Sequence, residues 1–295
     1  MPSVSARGLV VAAAVAIAAA GGRAAPDAQK LDLSRNRLVA AAAAYVAAYQ
    51  KQFAFLIADE TTVQEAYGVK DKLRVPFAAR TTRGEIFITY LERRRQWTTV
   101  RDVAEVDGRP IANRPDLHAL LSQEDADVVA GRLFALNARY NIGGVVRNFN
   151  DPMIALLPLS DAHRSRFSFD VDGVDRRAPG VVLARLAFRE RERPTLVRPQ
   201  GGAAAFARGT LLVDAATGVV HRTTFTVRYD AIAAELTTEF TQHDRLGLWV
   251  PATLTERYTA RADGADDEIT STSTYTNYRR FEGQGRIVGT RTPAE

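Results

Sequence analysis

From Arg166 to Phe281 turn-forming stretches recur so often that no helix fits between neighbouring strands, and this constrains the fold more than any other feature. The punctuation runs "DVDGVD" (170–175), "RPQGG" (198–202), "VDAATGVV" (213–220), "QHDRLG" (242–247) and "ARADGADDE" (260–268). A parallel crossover needs roughly a dozen residues of connection in addition to its strands, so turns about 10 to 15 residues apart leave only antiparallel hairpins, laid side by side as a meander. Period-two alternation supports one-sided burial. In one segment Val219, Thr223, Phe225, Val227 and Tyr229 point one way, and Arg222, Thr224, Thr226 and Arg228 the other. In the next, Ile232, Ala234, Leu236, Thr238 and Phe240 oppose Glu235, Thr237, Glu239 and Thr241. One face of this sheet seeks cover and the other is wet.

The cover comes from the first half of the chain. Leu38, Ala42, Tyr45, Val46, Tyr49, Phe53, Leu56 and Ile57 fall at steps of three and four, which predicts an amphipathic helix near 33–57. Two extended segments follow, Thr81 to Leu91 and Gln96 to Val106, with Arg93, Arg94 and Arg95 as the turn between them, and they read as a hairpin. Ser122 with Asp125 makes a capping-box pair that opens a second helix near 122–140, stopped by Gly143 and Gly144. A short, greasy helix near 151–157 is capped by Asn150 or Asp151, holds Pro152 in its first turn and ends at Pro158. The expected fold class is α+β: a strongly curved antiparallel β-sheet, a half-barrel meander packed on amphipathic helices, forming one domain over 25–285. A sheet of seven or more strands curls because each strand twists.

The first two dozen residues stand apart. Arg7 precedes an apolar run from Leu9 to Ala20, followed by small residues around Ala18 to Ala24 that offer cleavage sites. This is the layout of a signal peptide over 1–24, so the expectation is an exported protein, periplasmic or extracellular, soluble after cleavage, with 286–295 as a flexible tail. An uncleaved anchor is the alternative, disfavoured because the run is shorter than the roughly 20 residues of a bilayer span. The chain has no cysteine, which excludes thiol catalysis and cysteine metal sites. Its formal charge is +5, yet basic and acidic residues sit side by side in "FRERERP" (188–194) and "LTERYTARADGADDE" (254–268), so local fields largely cancel. No nucleic acid is expected as a partner.

Catalytic and metal readings find little support. His118 and His163 fall in loops on this reading, His221 on the inward parity of its strand and His243 on the wet parity, and none has a metal-ligand spacing. "DVDGVD" lacks the spacing and terminal Glu of a calcium loop, and "ADGADDE" (262–268) reads as a solvated tip more readily than a cation site. No nucleophile elbow, phosphate loop or dinucleotide fingerprint occurs. Asp59 and Glu60 could serve as acid and base, but neighbours on an extended segment point apart. The expectation is therefore a protein that is not an enzyme, with no catalytic residue, metal or cofactor; an exported hydrolase is the less favoured reading.

The alternation breaks at "LGLWVP" (246–251), where an apolar run means that both faces are covered or that one meets a ligand. Pro251 cannot donate to a ladder, which places it at an edge or bulge. The stretch "RGTLLVDAATGVVHRTTFTVRY" (208–229), a further strand, and then "LGLWVPATLTERY" (246–258) resembles the progression of strands and Asp-x-x-Thr-Gly turn in the LolA-like periplasmic lipoprotein carriers. The likeness covers roughly the C-terminal 90 residues and, more loosely, the long helix ahead of a hairpin. "NIGGVVRNFNDPMIALLPL" (141–159) has no counterpart in it. The resemblance implies a curved sheet lidded by helices that holds acyl chains, and thus a binding protein that shields an apolar ligand such as a lipid or acylated lipoprotein. The residues expected to line that apolar groove are Phe225, Val227, Leu236 and Phe240 from the sheet, Trp249 at its mouth, and Met153, Ile154, Leu156 and Leu157 from the short helix. Expected partners are an apolar small molecule or a lipid or lipoprotein, with transient membrane contact. The alternative is an interaction or structural protein of the cell envelope whose concave side is filled by its own helices and which holds no ligand.

Overall fold

The computed structural model describes residues 32–281, apart from 53–54, 71–72, 125, 146, 148–149, 176–180, 200–203 and 263–264. The expected signal peptide, the tail and the core of "ADGADDE" lie outside the described residues. Among those described, no helix is long and apolar enough to cross a membrane.

The strands are β1 (Leu56–Lys70), β2 (Leu73–Leu91), β3 (Gln96–Val106), β4 (Arg109–Pro110), β5 (Phe167–Asp175), β6 (Leu183–Glu190), β7 (Arg208–Asp214), β8 (Val220–Tyr229), β9 (Ile232–His243), β10 (Leu248–Ala262) and β11 (Ala265–Arg280). They form one open, curved antiparallel sheet in the order β4-β3-β2-β1-β11-β10-β9-β8-β7-β6-β5. The C-terminal meander is as the turn spacing requires, and β11 closes on β1 by a register that runs from Leu56↔Arg280 to Val69↔Asp266. This long-range pairing joins the first hairpin to the last. The α+β class with a curved antiparallel sheet is therefore what the chain adopts.

Helix α1 (Arg35–Gln52) lays Leu38, Ala42, Ala43, Val46 and Tyr49 on the inner face of the sheet. It ends sooner than its periodicity suggests: Leu56 and Ile57, expected as its last turn, begin β1. Both are apolar and β1 is covered on both faces there, so the apolar spacing at the junction fits either structure. The extended segment read at Asp59 and Glu60 belongs to β1, which runs on to Lys70, further than the sequence reading carries it.

The second helical region also differs. It is two helices, α2 (Leu117–Gln123) and α3 (Ala126–Asn137), and the cap is Asp116, whose carboxylate accepts from Ala119 N at 3.1 Å. Ser122 lies inside α2 and donates its hydroxyl to His118 O at 2.8 Å. His118 is thus helical, not in a loop. Leu117, Leu121, Val129 and Leu133 pack with Ile57, Phe87 and Val100. These three strand residues are paired across β1, β2 and β3. They project from the face opposite to their neighbours Leu56, Ile88 and Thr99. So α2 and α3 wrap the β3 edge of the sheet instead of joining α1 in its hollow.

Between α3 and β5 the chain forms a short 3-10 segment, Ile154–Leu159, with Pro158 inside it. The expected cap is not formed: the N-cap is Met153, with no side-chain cap bond, and Asp151 Oδ1 accepts from Met153 N at 2.7 Å just ahead of the segment, which Pro152 precedes. "DVDGVD" is not a turn but lies within β5, which absorbs its Gly173 through a bulge between Val171 and Gly173.

Candidate functional site

The break in alternation at 246–251 resolves into geometry. Gly247 takes φ +64° and its N–H donates to His243 O at 2.9 Å, closing the turn into β10. Leu248, Val250 and Pro251 are buried. The β9–β10 register shifts between Pro251 and Thr253, a bulge at the proline, while Tyr278 donates its hydroxyl to Pro251 O at 2.9 Å. Trp249 is partly buried, its ring 4.3 Å from that of His221, and its carbonyl accepts from the hydroxyl of Tyr49 on α1. Helix α1 is pinned to the sheet there.

Eight of the nine residues expected to line an apolar groove are buried. Met153, Ile154, Leu156 and Leu157 of the 3-10 region lie over the sheet, and Thr238 donates to Pro152 O at 3.0 Å. Phe225, Val227, Leu236 and Phe240 lie on the buried parity of β8 and β9. All of the nine except Trp249 are at most 8% exposed. None of the nine borders the cavities described below.

A cavity of about 370 Å³ lies instead on the inner face between β1, β3, β10, β11, α3 and the residues Asn141, Arg147, Asn150 and Asp151. Its wall is polar. Pairing across the sheet explains why: Glu60 faces Tyr275, Thr62 faces Ser273 and Gln64 faces Ser271, and Ser271 in turn faces Glu256. One row of inward positions is thus occupied by polar side chains where β8 and β9 carry apolar ones. Glu60 takes both oxygens to Arg101 Nε, at 3.0 and 2.9 Å. Arg101 gives Nη2 to Asn150 O at 2.9 Å and Nη1 to Asn150 Oδ1 at 3.4 Å. Arg147, 2% exposed, donates Nη2 to Gln64 Oε1 and to Asn141 Oδ1, the latter at 2.7 Å. Tyr258 donates to Glu256 Oε2 at 2.5 Å.

The electrostatics follow from burial. Removal from water pulls the Arg101 guanidinium down, but the Glu60 carboxylate and other nearby negative groups outweigh this, and its pKa stands above the ordinary range. Burial pushes the Asp151 carboxyl up to about 6, against a smaller opposing effect of the Met153 N–H and Arg101. The hydroxyls of Tyr258 and Tyr275 are raised mainly by burial. Two polar atoms of the cavity wall, Arg147 Nε and Ser271 Oγ, are buried without a hydrogen-bond partner among the described residues. Unpartnered polar atoms of this kind are costly unless something else meets them.

The periodicity carried no sign of this cavity. Glu60 was weighed only as half of an acid–base pair with Asp59; the two do point apart, Asp59 to Arg279 at 3.0 Å and Glu60 to Arg101. Gln64, Arg101, Arg147, Glu256 and Ser271 were not singled out, though polar residues at the inward parity of strands were the available signal. No group of acidic or histidine side chains that could hold a metal occurs among the described residues.

A second cavity, of about 750 Å³, is a shallow trough between the alanine-rich side of α1 (Val39, Ala40, Ala43, Ala44, Ala47) and Phe167 and Phe169 of the edge strand β5.

No protein-family model and no curated protein matches the chain. Among solved structures, it is similar to a putative outer membrane lipoprotein-sorting protein domain from Vibrio parahaemolyticus, at 11% identity over 82% of this chain and 92% of that one, with a TM-score of 0.31. It is also similar to a LolA superfamily protein from Nitrosomonas europaea, at 10% identity over 81% and 93% of the two chains, TM-score 0.28. A third is the Pseudomonas aeruginosa MucA/MucB complex, at 11% identity over 83% and 96%, TM-score 0.19.

Proposed function

We propose that this chain is an exported, non-catalytic binding protein of the cell envelope that works through the inner face of its sheet. The observation that carries this reading is the cavity beside α3, an opening with a polar wall that the covering segments leave on the inner face. Asp59 and Glu60, the carboxylates weighed as acid and base, support a binding role better than a reactive one. Glu60 is neutralised by Arg101 and Asp59 by Arg279, and each is held in a fixed pair. On this reading the layer made by Phe225, Val227, Leu236 and Phe240 with Met153, Ile154, Leu156 and Leu157 is structural.

Native mass spectrometry of the chain released from its own compartment tests the proposal. A non-covalent small-molecule adduct is expected. It should vanish in Gly131→Phe, because Gly131 borders the cavity and a Cβ there meets nothing within 4 Å, so the ring can plug the space without displacing backbone. A folded chain with no adduct sinks the reading. Intact mass of the same sample tests cleavage near residue 24.

One observation favours a second reading, the shielding of a lipid or acylated lipoprotein. The lid over the apolar layer is only a 3-10 segment of six residues, a geometry with poorer hydrogen bonds than an α-helix. Were it to lift, Phe225, Val227, Leu236 and Phe240 of the sheet, with Trp249, would present an apolar face, and each methylene of a ligand buried there would gain about 0.8 kcal/mol. Organic extraction would then yield lipid in equal amount to protein, and fatty acid would change tryptophan fluorescence. The first reading expects neither.

A further inference from the structure

We infer that the polar cavity beside α3 is a binding site for an uncharged saccharide of one or two rings; the inference rests on the reading of the inner face as a binding surface and names its ligand. Size comes first. At about 370 Å³ the space lies at the small end of the range, roughly 300–1,000 Å³, in which small-molecule sites fall.

Charge comes next. The wall holds three guanidinium groups, of Arg94, Arg101 and Arg147, and three carboxyl groups, of Glu60, Asp151 and Glu256. The balance selects neither an anion nor a cation. Two of the guanidinium groups are already engaged: Arg101 commits Nε to Glu60 and both Nη atoms to Asn150, and Arg147 commits Nη2 to Gln64 and Asn141. What the wall offers is a mixture. Arg147 Nε–H can only donate, the Glu256 carboxylate can only accept, and Ser271 Oγ can do either. Arg147 and Ser271 are 2% and 1% exposed, and their unpartnered atoms make the wall incomplete as it stands.

A sugar ring meets these demands. Each hydroxyl donates one hydrogen bond and accepts others, so neighbouring hydroxyls can satisfy donor and acceptor positions side by side without bringing charge. Its C–H faces are apolar, and Phe134 of α3 stands at the cavity 44% exposed, with Trp97 and Tyr140 also in the wall. An aromatic face beside fixed polar groups suits a ligand that is wet on its edge and apolar on its face.

Saturation-transfer NMR on the full chain, with glucose, N-acetylglucosamine and maltose as probes, tests this. Transfer from the protein to ring protons of at least one probe is expected, and it should disappear in Gly131→Phe. Ser271→Ala separates binding from structure. Removing a buried hydroxyl that has no partner should leave the melting temperature unchanged or higher, while weakening the sugar roughly three- to tenfold. Absence of transfer from all three probes with a folded protein overturns the inference, as does an unaltered affinity in Ser271→Ala. So does binding of dodecyl maltoside without maltose, which would put the affinity in the alkyl chain. A native adduct that is not a sugar defeats this inference alone; absence of any adduct defeats the binding reading beneath it.

Discussion

Gly218 shows how much a single residue can carry. It takes φ +79° in the turn between β7 and β8, where Asp214 Oδ1 accepts from Ala216 N at 2.8 Å and Thr217 N at 3.0 Å. A Cβ on Gly218 would lie 2.3 Å from Ala41 O of α1. The turn therefore needs glycine twice, for its dihedral and for the approach of the helix backbone. Gly218→Ala should cost about 2 kcal/mol or more in urea unfolding. Gly131→Ala, inside α3 with open space around it, should gain about 0.5–1 kcal/mol. Asp151 supplies a pH test. Its folded pKa, about 6, is above the ordinary aspartate value of 3.8, so the native state holds the proton more tightly than the unfolded one. Stability from this group is complete below about pH 4 and is lost as pH rises through 6; Asp151→Asn should remove roughly 1–2 kcal/mol of that decline, read from unfolding at pH 4 and pH 7. The turn glycine was legible in the sequence, since Asp-x-x-Thr-Gly fixes its own local conformation. Nothing local could announce the pKa of Asp151, which depends on what is packed around it.

At the scale of elements, strand parity was readable and helix ends were not. Thr223, Phe225 and Val227 of β8 and Ala234, Leu236 and Thr238 of β9 are buried as alternation requires. The junction of α1 and β1 was misjudged because Leu56 and Ile57 continue a helical spacing while belonging to a strand covered on both sides. The 3-10 segment is the element on which function turns. Leu156→Ala, at a residue 1% exposed, should destabilise by about 2–5 kcal/mol if the layer is a packed core. A far smaller loss, with fatty acid binding gained, would mark the segment as a loose lid.

For the molecule as a whole, the open sheet leaves two edges to be guarded. One ends in β4, two residues long with Pro110 unable to donate. The other is β5, bulged at Gly173 and bearing exposed Asp170 and Asp172 near Val171 and Val174, which are 37% and 40% exposed. Charges and bulges on an edge oppose pairing with a second sheet. Asp170→Val with Asp172→Val should produce concentration-dependent association by light scattering, while the far-ultraviolet dichroism of the fold is retained. Association equal to that of the unaltered chain would mean that those carboxylates do not guard the edge.

Turn chemistry and period-two alternation act over a few residues, so the antiparallel meander, most of its turns and the buried faces of β8 and β9 were legible locally. Only the tertiary structure decided that the apolar residues under the 3-10 segment meet one another, and that polar ones line the opening beside α3. Those outcomes depend on β1 pairing with β11 across some two hundred residues and on which surfaces α1 and α3 cover. No local pattern encodes a partner so distant, since the same inward side chain can meet protein, ligand or water.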